Sequence, residues 1–347
     1  MTQTYKLAII IPCWNCASYI GETLDCLHMQ SFNDWVAFLI DDDSTDDTAQ
    51  IIKFKAINDS RIRYFKRHRP PKGAQTCRNI GFDKSEGAEY VFFMDADDLI
   101  APFCFEQRIN YMMTHPLIDF ASFPVKAFKD DIFDGLLWGF GVQGQQDLLV
   151  SLLNWETLQI VVASNIYKRS CLKKSCLRWD ELLLSMQDAD FNIQALSKGL
   201  VHAFAEGSRI DYFYRQNNGT VSKQIFKEDK FNSHLYLINK ETITIRTVFG
   251  KKLDFYLKSF IVVFFDFFLD RKYPYRQLLK MVFVKSNPLF FLRILIFSSI
   301  GMRGKKYLFG PYCRYNKESK RAWSKIVSQR MNELVLVGTS NEQSYGE

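Results

Sequence analysis

Short apolar blocks punctuate the first hundred residues: Leu7-Ala-Ile-Ile-Ile11, Val36-Ala-Phe-Leu-Ile40 and Tyr90-Val-Phe-Phe-Met94. A block of this length with no polar position predicts a strand covered on both faces, as in a parallel sheet. Pro12 ends the first block, because proline cannot donate to a ladder. Between the blocks the period changes. Ile20, Leu24 and Leu27 fall at i, i+4 and i+7, which predicts a helix, with Ser18 as its cap. Ser44, Thr45 and Asp46 precede a second helix as natural caps. Residues 61–65 predict a short third strand. A loop with Pro70, Pro71 and Gly73 then leads into a helix through Arg78, Asn79 and Phe82, and a further helix is expected over about 102–115. Strands alternating with helices at this spacing predict βαβ units: a Rossmann-like α/β fold, its sheet mostly parallel, with helices on both faces.

The pattern loosens after residue 120. A strand is expected over 160–167, a helix over 188–198 with Phe191 and Ala195 four apart, and extended chain over 203–214. Past residue 222 the composition shifts. Residues 253–269 are rich in Phe, 289–300 are apolar around Arg293, and Gly301, Gly304, Gly310 and Pro311 follow. The expected organisation is an α/β domain over 1–222 and a helical, basic C-terminal region over 223–347.

Charge sharpens that division. The 347 residues carry a net +7, but residues 271–330 hold 15 Lys or Arg against one acid, Glu318. Residues 1–270 are slightly acidic, with 30 basic and 34 acidic side chains. The basic character therefore describes a partner of the C-terminal segment and not the fold. Phe and Leu clusters beside Lys and Arg suit amphipathic helices lying on an anionic membrane surface. No nucleic-acid-binding motif is present, so nucleic acid is not expected as a partner. No uncharged stretch reaches the ~18 residues of a membrane span. The apolar run at 7–11 is too short for a signal peptide. Eight scattered Cys do not make a disulfide scaffold. The expected location is cytoplasmic, peripheral on the inner face of the cell membrane.

The chemistry gathers where the apolar blocks end. Tyr90–Met94 runs straight into Asp95, Asp97 and Asp98. Three carboxylates there call for a counter-ion, because an unpaired buried charge is very unfavourable. Mg²⁺ or Mn²⁺ supplies one through oxygen ligands, commonly one or two carboxylates plus substrate phosphates. A solvated acidic turn is the alternative. Two further clusters, at 12–15 and 41–46, also fall at strand carboxyl ends, where open α/β sheets bind their ligands. Cys13-Trp-Asn-Cys16 could be read as a redox or metal pair, but no second C-x-x-C or nearby His completes a site.

Taken in order, Pro12-Cys-Trp-Asn15, Asp41-Asp-Asp-Ser-Thr-Asp46, Gly73-x4-Arg78-Asn79-x-Gly81, Asp95-Ala-Asp97-Asp98 and Asp188 resemble the motifs of family 2 glycosyltransferases with the GT-A fold. The resemblance covers about residues 5–222. It implies inverting transfer of one sugar from a nucleotide-sugar, a UDP-sugar in the first instance, with Mg²⁺ or Mn²⁺. It also implies a glycan or lipid-linked glycan acceptor in surface polysaccharide biosynthesis (capsule, O-antigen or lipopolysaccharide). In relatives an aromatic at the position of Trp14 covers the base, and the acid at the position of Asp42 reads it. The resemblance extends nucleotide-sugar contacts to Pro12, Asn15, Asp95 and Ala96. Asp97 is the direct metal ligand, with Asp95 near metal and ribose, and side-chain alternation in an extended segment would turn both to one side. Lys72 and Arg78 are candidates to offset the diphosphate, with a solvated basic loop as the alternative. Arg215, within Tyr214-Arg215, matches a loop that closes on the donor.

Inversion needs a base on the sugar face opposite the leaving diphosphate. The family keeps it where this chain has Asp188; a helix cap is the alternative role, and Asp190 the reserve candidate. Two positions depart from the family pattern: Asp43 stands for the usual Gly, and Gln187 for the first acid of a Glu-Asp pair. A non-catalytic nucleotide-sugar or glycan-binding module would share the pocket without needing Asp188. A sugar nucleotidyltransferase would want a Gly-rich loop and a Lys after the first strand, where this chain has Pro12-Cys-Trp-Asn15.

Overall fold

The computed structural model describes residues 4–129 and 160–216, together with 137–138, 149, 152, 232–233, 236–237, 240–241 and 243. The apolar stretches at 253–269 and 289–300 and the basic segment 271–330, on which the membrane expectation rests, lie outside the described residues.

Seven strands form the main sheet: β1 (Tyr5–Cys13), β2 (Trp35–Asp41), β3 (Ile62–Lys66), β4 (Ala88–Phe93), β6 (Phe120–Ser122), β9 (Asn165–Lys168) and β10 (His202–Phe204). Their order is β10-β6-β9-β4-β1-β2-β3. All pairings are parallel except the two that β9 makes, with β4 and with β6. A second sheet joins β5 (Leu99–Ile100), β11 (Tyr212–Arg215), β7 (Val125–Phe128) and β8 (Leu137–Trp138), in that order. The described helices are α1 (Ile20–His28), α2 (Thr48–Asn58), α3 (Ala74–Lys84), α4 (Cys104–Thr114), α5 (Arg169–Lys174) and α6 (Gln187–Ser197).

The apolar blocks are strands covered on both sides. Along β1, Leu7, Ile9 and Ile11 enter a core with α1, α2 and α4 residues such as Leu24, Ile52 and Phe105. Ala8 and Ile10 enter the opposite core with Ile80 of α3, Leu172 of α5 and Phe191 of α6. Alternate side chains of one strand thus seed two cores. Gly81 lets α3 lie close against β1: a β-carbon there would run into the side chain of Ile10.

The structure revises several local expectations. Ser18 does not cap α1, whose cap position is Tyr19 with no side-chain bond. The amides before the helix are held instead from the β2–α2 loop and the start of α2: Asn15 N–H donates to Ser44 Oγ (3.0 Å), Cys16 N–H to Thr48 Oγ1 (2.9 Å) and Ala17 N–H to Asp46 Oδ2 (3.1 Å). The side chains expected to cap α2 therefore tie two loops together. Only Asp46 also receives an α2 amide, from Thr48 (3.1 Å). The strand expected over 160–167 is a short 3₁₀ turn, Val162–Ser164, followed by β9. Asp95 to Asp98 is not extended: β4 ends at Phe93, and the chain turns so that Asp98 N–H donates to Asp95 O (3.4 Å). Strand alternation therefore does not govern where Asp95 and Asp97 point.

Candidate active site

The three motif clusters follow β1, β2 and β4, which are neighbours in the sheet order β4-β1-β2 and run parallel. Adjacent parallel strands deliver their carboxyl ends to one edge, so residues 12–15, 41–46 and 95–98 meet there. Pro12 does not end the first strand as expected: it lies within β1 opposite Ile40, and β1 runs on to Cys13 opposite Asp41. Trp14 is 56% exposed, with Lys72 Nζ 4.6 Å above its ring. Asn15 takes a left-handed backbone (φ 46°) and its Oδ1 accepts Thr45 N–H (2.8 Å). A left-handed residue lets the chain reverse around the exposed indole, and Asn tolerates it better than most.

Asp42 is buried and ion-paired with Arg67, whose guanidinium also engages Asp43. The same arginine donates to Arg69 O (2.7 Å). Asp43 has φ 61°, which accounts for the family's usual Gly here and for an Asp being accepted instead, since Asp visits this region more readily than bulkier residues. Arg67 was not singled out from sequence. The signal available was its place just beyond β3, at the carboxyl edge that nominated Asp42.

The 95–98 turn separates its carboxylates by environment. Asp95 and Asp97 are half-buried; Asp98 is fully buried. Asp98 accepts Tyr212 Oη (2.5 Å) and Arg215 N–H (2.8 Å). Burial, and then the negative charges of Asp97 and Asp95, push the Asp98 carboxyl well above the usual range. Ala96 is buried, and its carbonyl and that of Asp98 both accept Thr23 Oγ1 (3.0 Å each). Arg215 Nε donates to Asp97 O (2.8 Å) and its Nη2 to Glu22 (2.6 Å). Arg215 thus grips the turn's backbone. Tyr212 is anchored in turn through Asp211, which forms a fully buried bidentate pair with Arg108 of α4 (2.6 and 2.9 Å).

Two half-buried carboxylates beside a third turned inward are a donor set that suits a hard divalent cation taking its remaining ligands from a phosphate. Among the described residues, no three His, Cys, Asp or Glu side chains already converge on one point. Cys13 and Cys16 belong to the hydrophobic core beneath the loop.

Arg78 links this edge to α6. Its Nη2 donates to Asp95 Oδ1 (2.5 Å), its Nη1 to Gln187 Oε1 (3.3 Å), and its guanidinium stacks on Trp179 (4.5 Å). Gln187 also donates to Leu183 O (3.2 Å). Asp188 is not the cap of α6: that position is Met186, left-handed at φ 57°. Its carboxylate accepts Ala189 N–H (2.9 Å). Burial raises the Asp188 carboxyl above its ordinary value; Arg78 opposes the rise and Asp95 adds to it, so both act on Asp188 through space. Asp190 is fully buried and faces Lys240. Trp179 and Lys240 were not nominated from sequence, and Gln187 was noted only as a departure from the family's Glu-Asp pair, because nothing local marks which distant side chains meet them.

The model of the family described as "Glycosyl transferase family 2" matches residues 8–175. A Haemophilus influenzae protein named as an uncharacterized glycosyltransferase is 36% identical over 114 residues, covering 32% of this chain and 44% of that one. The poly(ribitol-phosphate) β-N-acetylglucosaminyltransferase TarS of Staphylococcus aureus is 28% identical over 201 residues, covering 55% and 32%. The chain thus spans less than half the length of these relatives. The structure of S. aureus TarS residues 1–349 with UDP-GlcNAc superposes with a TM-score of 0.61 at 20% identity, covering 91% of each chain. The match over 8–175 and the shared architecture identify those residues as a glycosyltransferase family 2 domain and give the chain a GT-A-type fold.

Proposed function

We propose that the protein is an inverting, metal-dependent glycosyltransferase that moves one sugar from a UDP-sugar to a glycan or lipid-linked glycan acceptor. The observation that carries this reading is the Arg78 bridge. One side chain bonds both Asp95 at the nucleotide edge and Gln187 beside Asp188. This bridge supports a single site holding the two carboxylates that the chemistry requires.

In this reading Trp14 stacks on the uracil and Asp42, aimed by Arg67, accepts its imide N–H. Lys72 lies over Trp14, within reach of the diphosphate side. Asp97 and Asp95 would hold Mg²⁺ or Mn²⁺, which when bound would offset the charge developing on the leaving diphosphate. Arg78 adds a fixed positive charge at the same edge. Asp188 takes the proton from the attacking hydroxyl, and its raised pKa makes it a better base than an exposed aspartate. The complex of TarS with UDP-GlcNAc supports a uridine donor.

The test is a panel of UDP-, GDP- and dTDP-sugars with Mg²⁺ or Mn²⁺, scored by melting temperature and donor hydrolysis. At a hundredfold excess over Kd a bound donor contributes about 2.7 kcal/mol, roughly 5–10 °C for a domain of this size. We expect UDP-sugars to give this shift and chelator to remove it. A response confined to another nucleotide, or one indifferent to chelator, overturns the donor and metal assignments respectively.

Membrane association is proposed from the 15 basic residues at 271–330, each contributing about 1 kcal/mol near an anionic surface. Among the described residues no helix is long and apolar enough to cross a membrane. The chain ended before Arg271 should lose binding to phosphatidylserine vesicles that the full chain shows. Equal binding by both removes the proposal.

A further inference from the structure

The described residues between 232 and 243 are helical, and they fall on α6 and the loop before it. Ser233, Leu237 and Glu241 are buried, at i, i+4 and i+8, while Asn232, Tyr236 and Ile243 are exposed. This is the pattern of a helix with one face covered. Ser233 Oγ accepts Leu184 N–H (2.9 Å), and Tyr236 Oη donates to Asp180 (2.9 Å). Lys240 Nζ lies 2.7 Å from Asp180 Oδ2 and 2.7 Å from Asp190 Oδ1, and Glu241 Oε1 accepts from Gln194 Nε2 (3.4 Å).

Asp180 and Asp190 bracket the base. Asp180 begins the loop 180–186, which is tied to α3 by Asn79, through Trp179 O (2.9 Å) and Glu181 (2.7 Å). Asp190 sits in the first turn of α6, two residues after Asp188, and is fully buried. Burial, and then the charge of Asp190, push the Glu241 carboxyl well above the usual range. Lys240 Nζ meets both aspartates. The first turn of α6 is thus held from two directions: by Arg78 through Gln187 on the donor side, and by Lys240 through Asp190 on the other.

We infer that Lys240 is a positioning residue for Asp188, and that the described residues Ser233, Tyr236 and Lys240 complete the catalytic unit from beyond residue 222. The inference rests on the reading of Asp188 as base. A buried aspartate with its lysine in place has one orientation. Without that partner the turn is free to re-aim its charge toward water and carry Asp188 with it. Because catalytic groups act over tenths of an ångström, such a shift lowers turnover more than substrate binding.

Removing Lys240 alone would strand Asp190, so the test uses two variants of the full chain. Lys240→Arg keeps the cation. The double variant Lys240→Met with Asp190→Asn removes the fully buried charge together with its cation, and leaves the less buried Asp180 to the Tyr236 hydroxyl and Leu182 N–H. Both are assayed by hydrolysis of the UDP-sugar that ranks first in the panel, with Mn²⁺. The double variant should lose at least tenfold in kcat while its donor KM stays within about twofold, and Lys240→Arg should recover most of kcat. Wild-type kcat in the folded double variant overturns the inference, as does a double variant that fails to fold beside a fully active Lys240→Arg, which would confine the pair to stability. Failure of the underlying reading looks different: Asp188→Asn would then turn over normally.

Discussion

Asp188→Asn is expected to lower donor turnover by about 10²–10⁴-fold, the range that a positioned general base contributes, while the donor's Kd stays within about twofold. The substitution keeps the shape of the side chain and its bond from Ala189 N–H, but an amide cannot take a proton. The groups that hold the nucleotide in this reading, Trp14, Asp42 and the 95–98 turn, belong to other elements and are untouched. A matching pH dependence follows. A base works when deprotonated, and burial places the Asp188 carboxyl above its ordinary value. Turnover should therefore fall, as pH drops, at a point above the ordinary aspartate pKa of about 3.9. Full turnover by the Asn variant with the donor bound would remove Asp188 from the mechanism and favour a different base or a binding role. A profile flat down to pH 4 would show that the carboxyl is not held high.

Arg108→Met is expected to destabilise the fold by about 3–5 kcal/mol, because it leaves Asp211 as an uncompensated buried charge. The two side chains are 1% and 0% exposed, and the guanidinium also donates to Ala163 O (3.1 Å). Although burial opposes its charge, Asp211 keeps the Arg108 pKa above the ordinary value. The pair does more than fill the core. It fixes β11 to α4, and the next residue, Tyr212, carries the hydroxyl that holds Asp98 under the carboxylate turn. Denaturant titration of the variant should show the loss, and the double change Arg108→Met with Asp211→Leu should recover most of it, since a neutral replacement of both partners leaves nothing unpaired. The recovered protein should bind donor, because Tyr212 and Asp98 remain. A loss below 1 kcal/mol in the single variant would mean that water or another cation reaches Asp211.

The α/β class was legible because a strand covered on both faces writes itself as an unbroken apolar block, and β1, β2 and β4 each carry one. The edge at which the polar clusters collect was legible for the same reason, since a polar cluster that ends such a block has nowhere else to go in a parallel sheet. Less was legible where partners come from afar. Ser18 looks like a cap on local grounds, yet Ser44 and Asp46 of the next loop and Thr48 at the start of α2 take the amides it would have served. The three carboxylates at 95–98 read alike in sequence. Only Tyr212 and Arg215, more than a hundred residues away, decide that Asp98 turns inward.

What the sequence determined by itself, then, was the fold class and the sheet edge at which the polar clusters meet, because both follow from local period and residue chemistry. The tertiary structure decided which charges meet: Arg67 with Asp42, Arg78 between Asp95 and Gln187, and Lys240 between Asp180 and Asp190. Pairing across long stretches of chain depends on how helices seat on the sheet, and that is fixed by packing volume and burial, which no short stretch of sequence records.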